Sequence, residues 1–232
     1  MSSESEIVES AFAEIDEYLR DASIAQVGGF RPPEEPVSSW FGGCFVALPD
    51  ETWPANENGP MVPLLQVRTD ELPHLPHALS DVALFNVFVD RKELPGNGAR
   101  SGEGWVLRSY RKLKGLAPVT APKDSTLRSF PIRWTLAKGE GPTWADAWGL
   151  HDLEEFNELD DCEELFEDRY QQHTGTKIGG WPSFIQSSLG DPDRFVFQIG
   201  SEQKPGWMWG DNGNAYVFRE KKGDWLIMWD SY

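Results

Sequence analysis

Cysteine and histidine are scarce in this chain. Among its 232 residues there are two cysteines, Cys44 and Cys162, and four histidines. Two isolated thiols, each beside apolar or acidic residues, give no disulfide framework and suit a reducing compartment. His74 and His77 stand three apart, but Leu75-Pro76 between them opposes a helix and no third ligand is near, so no metal site is expected. His151 and His173 flank an acidic segment as end residues. Long apolar runs are also missing, and Met1-Ser-Ser-Glu-Ser-Glu6 has neither the positive charge nor the apolar stretch of a signal peptide. The chain is therefore expected in the cytoplasm, away from membranes.

Positive charge is the third shortage. Lys plus Arg total 21 against 38 Asp plus Glu, a formal net charge of -17. Such a balance repels phosphate backbones and anionic lipid surfaces, so nucleic acid and membrane are not expected partners; the acidity reads either as a solvated surface that keeps the chain soluble or as a face for a basic protein. Catalytic signatures are lacking too. Ser183 and Ser201 sit in no Gly-x-Ser-x-Gly elbow. Gly210-Asp-Asn-Gly213 carries no lysine and reads as a turn instead of a phosphate loop. Asp211, Asn212 and Asn214 lack the spaced Glu of a calcium loop. No catalytic residue, metal or cofactor is expected.

What the chain does have is aromatic and apolar mass. Eleven Trp, thirteen Phe and 39% hydrophobic residues supply a large core for one domain spanning 1–232. Ile7, Val8, Ala11, Phe12, Ile15, Tyr18 and Leu19 recur at threes and fours, which predicts an amphipathic helix from Glu4 to about Arg20 capped by Ser2 or Ser3 and lying on a sheet. Leu153, Phe156, Leu159, Cys162, Leu165 and Phe166 predict a second helix over Asp152–Tyr170, with Asp160, Asp161, Glu163, Glu164, Glu167 and Asp168 on its other face. Strands are predicted at 23–27, 104–110, 130–134, 194–200 and 215–218. Asn212-Gly213 is expected to close a tight hairpin turn between two of them.

Several elements of the chain resemble the YwqG-like family, a bacterial domain family of unknown function. They are Gly179-Gly180-Trp181-Pro182 with Ile185-Gln186, then Val196-Phe197-Gln198-Ile199, then Trp209-Gly210-Asp211-Asn212-Gly213 with Tyr216-Val217-Phe218. Phe41-Gly42-Gly43, Ala47-Leu48-Pro49 and Pro63-Leu64-Leu65-Gln66-Val67 fit the first half of the pattern. Arg219 departs from it, standing where the pattern prefers an apolar residue. The resemblance implies a fold and little chemistry.

Two stretches, 38–90 and 175–220, also resemble each other. Each holds a Gly-Gly pair, an apolar strand with a central Gln, and a strand ending in Phe; from Gln to Phe the count is 88-66=22 in one and 218-198=20 in the other. The expected fold is therefore α+β, a largely antiparallel sheet in two similar halves with the N-terminal helix and the acidic helix packed on it.

Two functional readings follow. In the leading one the chain is a non-enzymatic protein-binding module of the bacterial cytoplasm, docking a basic partner through Asp160, Asp161, Glu163 and Glu164; an immunity protein against a basic toxin fits that description. In the other, a small-ligand binder or hydrolase has a cleft between the halves with Trp209, Asp211 and Gln198 at its mouth. Trp207 and Trp209, two apart and so on one side of an extended chain, are either a recognition platform or, as the commoner fate of aromatics in β-rich chains, core. The basic clusters Arg111-Lys112 with Lys114, and Arg219 with Lys221-Lys222, read as solvated surface or as an anion site, and the first also as a partner for the acidic segment. Oligomeric state is not legible in the sequence.

Overall fold

A computed structural model describes residues 3–43, 45–123, 127–148, 153–186 and 192–232. Cys44, His151 and Asp152 lie outside the described residues. In chain order the elements are α1 (Glu4–Asp16), β1 (Arg20–Val27), β2 (Trp40–Phe41), β3 (Val46–Ala47), β4 (Ala55–Asn56), β5 (Gly59–Pro60), β6 (Val62–Arg68), β7 (Leu84–Val89), β8 (Ala99–Arg100) and β9 (Trp105–Tyr110). There follow β10 (Ala117–Pro118), β11 (Phe130–Glu140), α2 (Trp144–Ala147), α3 (Glu154–Asn157), α4 (Cys162–Arg169), β12 (Lys177–Gly179), β13 (Phe195–Gly200), β14 (Asn214–Arg219) and β15 (Trp225–Asp230).

Among the described residues eleven strands form one sheet in the order β8-β15-β14-β13-β12-β1-β11-β2-β6-β7-β9, with neighbouring strands paired antiparallel. The two outer strands of that order, β8 and β9, are consecutive in the chain. Gly102 N–H donates to the Trp105 carbonyl at 2.7 Å, the Leu107 N–H to Ser101 Oγ at 2.9 Å, and the Trp105 indole to the Ala99 carbonyl at 3.1 Å. The sheet thus curls into a nearly closed barrel, which leaves few unpaired edge groups.

Strand alternation sends one set of side chains inward. Leu65, Val67, Phe85, Val87, Ile178, Phe197, Ile199, Val217 and Ile227 meet in a single core, where Phe85 and Phe197 stack at 4.9 Å between the two halves. The outer face is covered by smaller clusters, Phe45, Met61 and Phe88 on one half and Phe195, Tyr216 and Phe218 on the other.

At the centre of the sheet β1 pairs with β11. Gln26 faces Arg133, while Ala25 faces Trp134 and Val27 faces Ile132. From this axis the same bonds recur on both sides. Ser39 carbonyl accepts from Ile132 N–H at 3.0 Å as the Thr176 carbonyl accepts from Ala25 N–H at 3.0 Å. Ser39 Oγ accepts from Arg68 N–H at 3.0 Å as Thr176 Oγ1 accepts from Gly200 N–H at 3.0 Å.

The helices form a separate layer. Ser3 caps α1: its backbone N–H donates to the Glu6 carboxylate at 2.8 Å, and Glu6 N–H returns to Ser3 Oγ at 3.4 Å. The buried face of α1, Ala11 and Ile15, meets Ala147, Leu153, Phe156, Phe166 and Tyr170. Instead of one helix over 152–170 the chain makes two, α3 and α4, separated at 158–161. Asp160-Asp161 are weak helix formers carrying like charges, and the break turns Phe156 and Phe166 toward one cluster. Trp181 ties layer to sheet, its indole donating to the Tyr18 carbonyl at 2.8 Å under the Arg20 guanidinium, 4.3 Å from the ring centroid.

Candidate functional site

The motif residues of the second half converge on the outer face of the sheet, under the segment 173–186. Gln198 is fully buried; its carbonyl oxygen accepts from Ser183 N–H at 2.9 Å, and its amide donates to the carbonyls of Thr174 at 2.9 Å and Gly175 at 3.0 Å. On the neighbouring strand the Tyr216 hydroxyl contacts the Ser183 carbonyl at 2.8 Å and the Asp230 carboxylate at 2.7 Å. The other oxygen of Asp230 accepts the backbone N–H groups of Ile185 and Gln186, both at 3.1 Å. A buried amide must find partners, and here all of them are main chain or Ser183.

The first half repeats the device. Gln66 Oε1 accepts from Val46 N–H at 2.8 Å, its amide donates to the carbonyls of Pro36 at 2.9 Å and Ser38 at 2.7 Å, and Asn86 donates to the Val46 carbonyl at 2.7 Å. Val46 and Ser183 stand three residues beyond Gly43 and Gly180, so both Gly-Gly elements launch a strap that a glutamine then holds down.

Beside this row lies a buried ion pair that no sequence signal singled out. Lys177 Nζ is 2.7 Å from Glu140 Oε1, with both side chains at most 1% exposed. Glu140 also accepts the N–H groups of His173 at 2.8 Å and Trp181 at 2.9 Å. Burial draws the Lys177 ammonium below its ordinary range against the pull of Glu140. A lysine so tuned is chemically suited to nucleophilic work, but this one has no exposed surface for a substrate to reach. Gly180 shows how closely the chain packs there: a Cβ on it would lie 2.0 Å from Glu140 Oε2.

The tryptophans belong to the core. Trp207 and Trp209 pack edge to face at 5.2 Å, 9% and 0% exposed, while Met208 between them is exposed. They sit in the connection 201–213 and fill the barrel from its end. Asn212-Gly213 accordingly does not close a tight two-residue turn: it ends the long connection 201–213 between the paired strands β13 and β14. Asn212 takes φ 55, and Gly213 is required by close approach, since a Cβ there would lie 1.9 Å from the Asp230 carbonyl oxygen. Trp209 and Gln198 are buried whereas Asp211 is exposed, so the three do not line one cleft mouth.

Asp160, Asp161, Glu163 and Glu164 are all exposed. With Cys162, Glu167 and Asp168 they surround a surface concavity of about 440 Å³. A second hollow of about 310 Å³ lies between α1 and α3, with Ile7, Ala11, Leu153 and Phe156 as apolar walls and Glu14, Glu154 and Glu155 as acidic ones. Between 153 and 169 the chain has nine Asp or Glu and one cation, Arg169, and that arginine is held by Asp16 at 2.6 Å. The first basic cluster does not face this segment through Arg111, which pairs with Asp81 at 3.4 Å; Arg219 reaches the same Asp81 at 2.9 Å.

Among the described residues no group of three or more His, Cys, Asp or Glu could hold a metal ion, and no helix is long and apolar enough to cross a membrane. No curated protein matches the chain. One family model does, over residues 39–223, a span that takes in both Gly-Gly straps, both glutamines and the acidic helices. The chain therefore belongs to the family described as a domain of unknown function, DUF1963.

Proposed function

We propose that this chain is a non-enzymatic, YwqG-like protein-binding module of the bacterial cytoplasm, and that the acidic face of α3 and α4 docks a basic protein. Neutralising a cationic toxin, as an immunity protein does, is one form such a role takes. The observation that supports it most directly is the exposure of Asp160, Asp161, Glu163 and Glu164 around one concavity, in a stretch whose single cation is already engaged. Like charges held together on a rigid layer repel one another, and a cationic partner relieves that repulsion while being steered by the field. The neighbouring apolar hollow offers burial to a side chain next to the partner's charges.

The test is affinity capture from bacterial cytosol at about 50 mM and 500 mM salt, where screening lengths differ severalfold. Wild type is compared with D160N/D161N/E163Q/E164Q and with E34Q/D50N/E57Q/E93Q, which changes the same net charge elsewhere on exposed positions. One basic protein retained by wild type and by the second variant, released by salt and lost with the first, is the expected result. Equal loss with both variants, or capture indifferent to salt, overturns the reading.

A further inference from the structure

The turn between β14 and β15 reverses the charge of its surroundings. A concavity of about 450 Å³ there is lined by Arg100, Arg194, Glu220, Lys221, Lys222 and Asp224. Among the described residues all six of the lining are charged, four cations against two anions, a local balance of 4 - 2 = +2 on a chain whose total is -17.

The arginines are fixed before any ligand arrives. One oxygen of Glu220 holds Arg100 at 3.2 Å and the other holds Arg194 at 3.0 Å, while Asp224 holds Arg100 at 2.8 Å. The turn is itself closed by Glu220 N–H to the Asp224 carbonyl at 2.8 Å and Gly223 N–H to the Glu220 carbonyl at 2.7 Å. Internal carboxylates therefore use up two of the four charges and orient the guanidinium groups. Lys221 and Lys222 keep theirs: both are exposed, and among the described residues neither has an ion-pair partner. Side chains with free ammonium groups and positioned guanidinium groups on one wall are the ordinary means of gripping oxyanions.

We propose that this pocket binds a small phosphate-bearing molecule through Lys221 and Lys222, with Arg100 and Arg194 as its preset wall. A balance of +2 suits a group of two or more negative charges. Among the described residues the lining holds no aromatic ring on which a base could stack, so recognition falls on the phosphoryl oxygens. This site shares no residue with the acidic surface and stands or falls independently of it.

Pyrophosphate, inorganic phosphate and malonate are titrated separately into the full chain by calorimetry at low ionic strength. The variants are K221A/K222A and, as a charge-matched control on the other basic cluster, K112A/K114A; all four lysines are exposed, and each variant is checked for wild-type circular dichroism first. The expected result is saturable one-to-one binding of pyrophosphate, weakened about tenfold or more in K221A/K222A and unchanged in K112A/K114A. Absence of saturation, equal weakening in both variants, or malonate binding as tightly as pyrophosphate overturns the proposal.

Discussion

Single buried polar groups do much of the fastening in this barrel, and Asp90 shows how. It is 4% exposed, and burial alone would push its carboxyl up. Donors from the Asn58 side chain, the Lys92 N–H, the Asn56 side chain and the Glu93 N–H outweigh that and bring it down to about 2. A carboxyl lowered on folding contributes stability that is complete above its unfolded value of 3.8 and is lost as pH falls through the folded one. Wild type should thus lose about 2 kcal/mol of folding free energy between pH 4 and pH 2 from this group. Asp90→Asn should begin lower at pH 7 and show a flatter slope across that window, as read by urea titrations at each pH. A slope equal to wild type would remove Asp90 from the account. The glutamines were visible in the sequence for the same reason, because an amide inside an apolar strand has to be satisfied. Asp90 and the Lys177–Glu140 pair were not, since their partners are distant in the chain and nothing local marks them.

At the scale of elements, the straps beginning at the Gly-Gly pairs are where sequence and structure meet most closely. Gly180 has φ +69 and leaves no room for a Cβ, which would press into Glu140 Oε2 and the Ala22 side chain. Gly206 has φ +85 with nothing within 4 Å of the same position. Alanine at 206 meets only the backbone penalty, about 1 kcal/mol. At 180 it must also displace the carboxylate that holds Lys177, His173 and Trp181, so Gly180→Ala should cost about 3 kcal/mol in denaturant titrations. Equal costs at the two positions would mean that the strap yields without loss. Strands and the N-terminal helix were legible because their apolar spacing is local and their caps lie within the same turn. The break between α3 and α4 was not. The apolar periodicity continues across Asp160-Asp161 and masks the weak helix propensity of that pair, while the packing of Phe156 on Phe12 and of Phe166 on Trp144, which sequence does not show, favours a bend there. The connection 201–213 was legible in part: its tryptophans are core, the commoner fate given for them, whereas the tight turn expected at Asn212-Gly213 is not made. Trp207 and Trp209 alternate as a strand would, and both rings turn into the barrel core while Met208 between them stays exposed.

For the whole molecule, the decisive fact is that the two halves share their interior. Phe85 belongs to the half around β6 and β7, Phe197 to the half around β13 and β14, and both are fully buried with rings stacked at 4.9 Å. The β1–β11 pairing and the β8–β9 turn join the halves again on either side of that contact. Neither half can empty its inner face without exposing the other's, which ties their unfolding together. Phe85→Ala and Phe197→Ala should each cost about 4 kcal/mol. Each should lower one common midpoint, with far-UV circular dichroism and tryptophan fluorescence coinciding through a guanidinium titration. Because the two rings touch, the double variant should cost less than the two singles added together, the second truncation enlarging a cavity already made. Two separated transitions, with Phe85→Ala moving one and Phe197→Ala the other, would show halves that fold independently. In that case the Gly-Gly straps would be fastening two small sheets instead of closing one barrel.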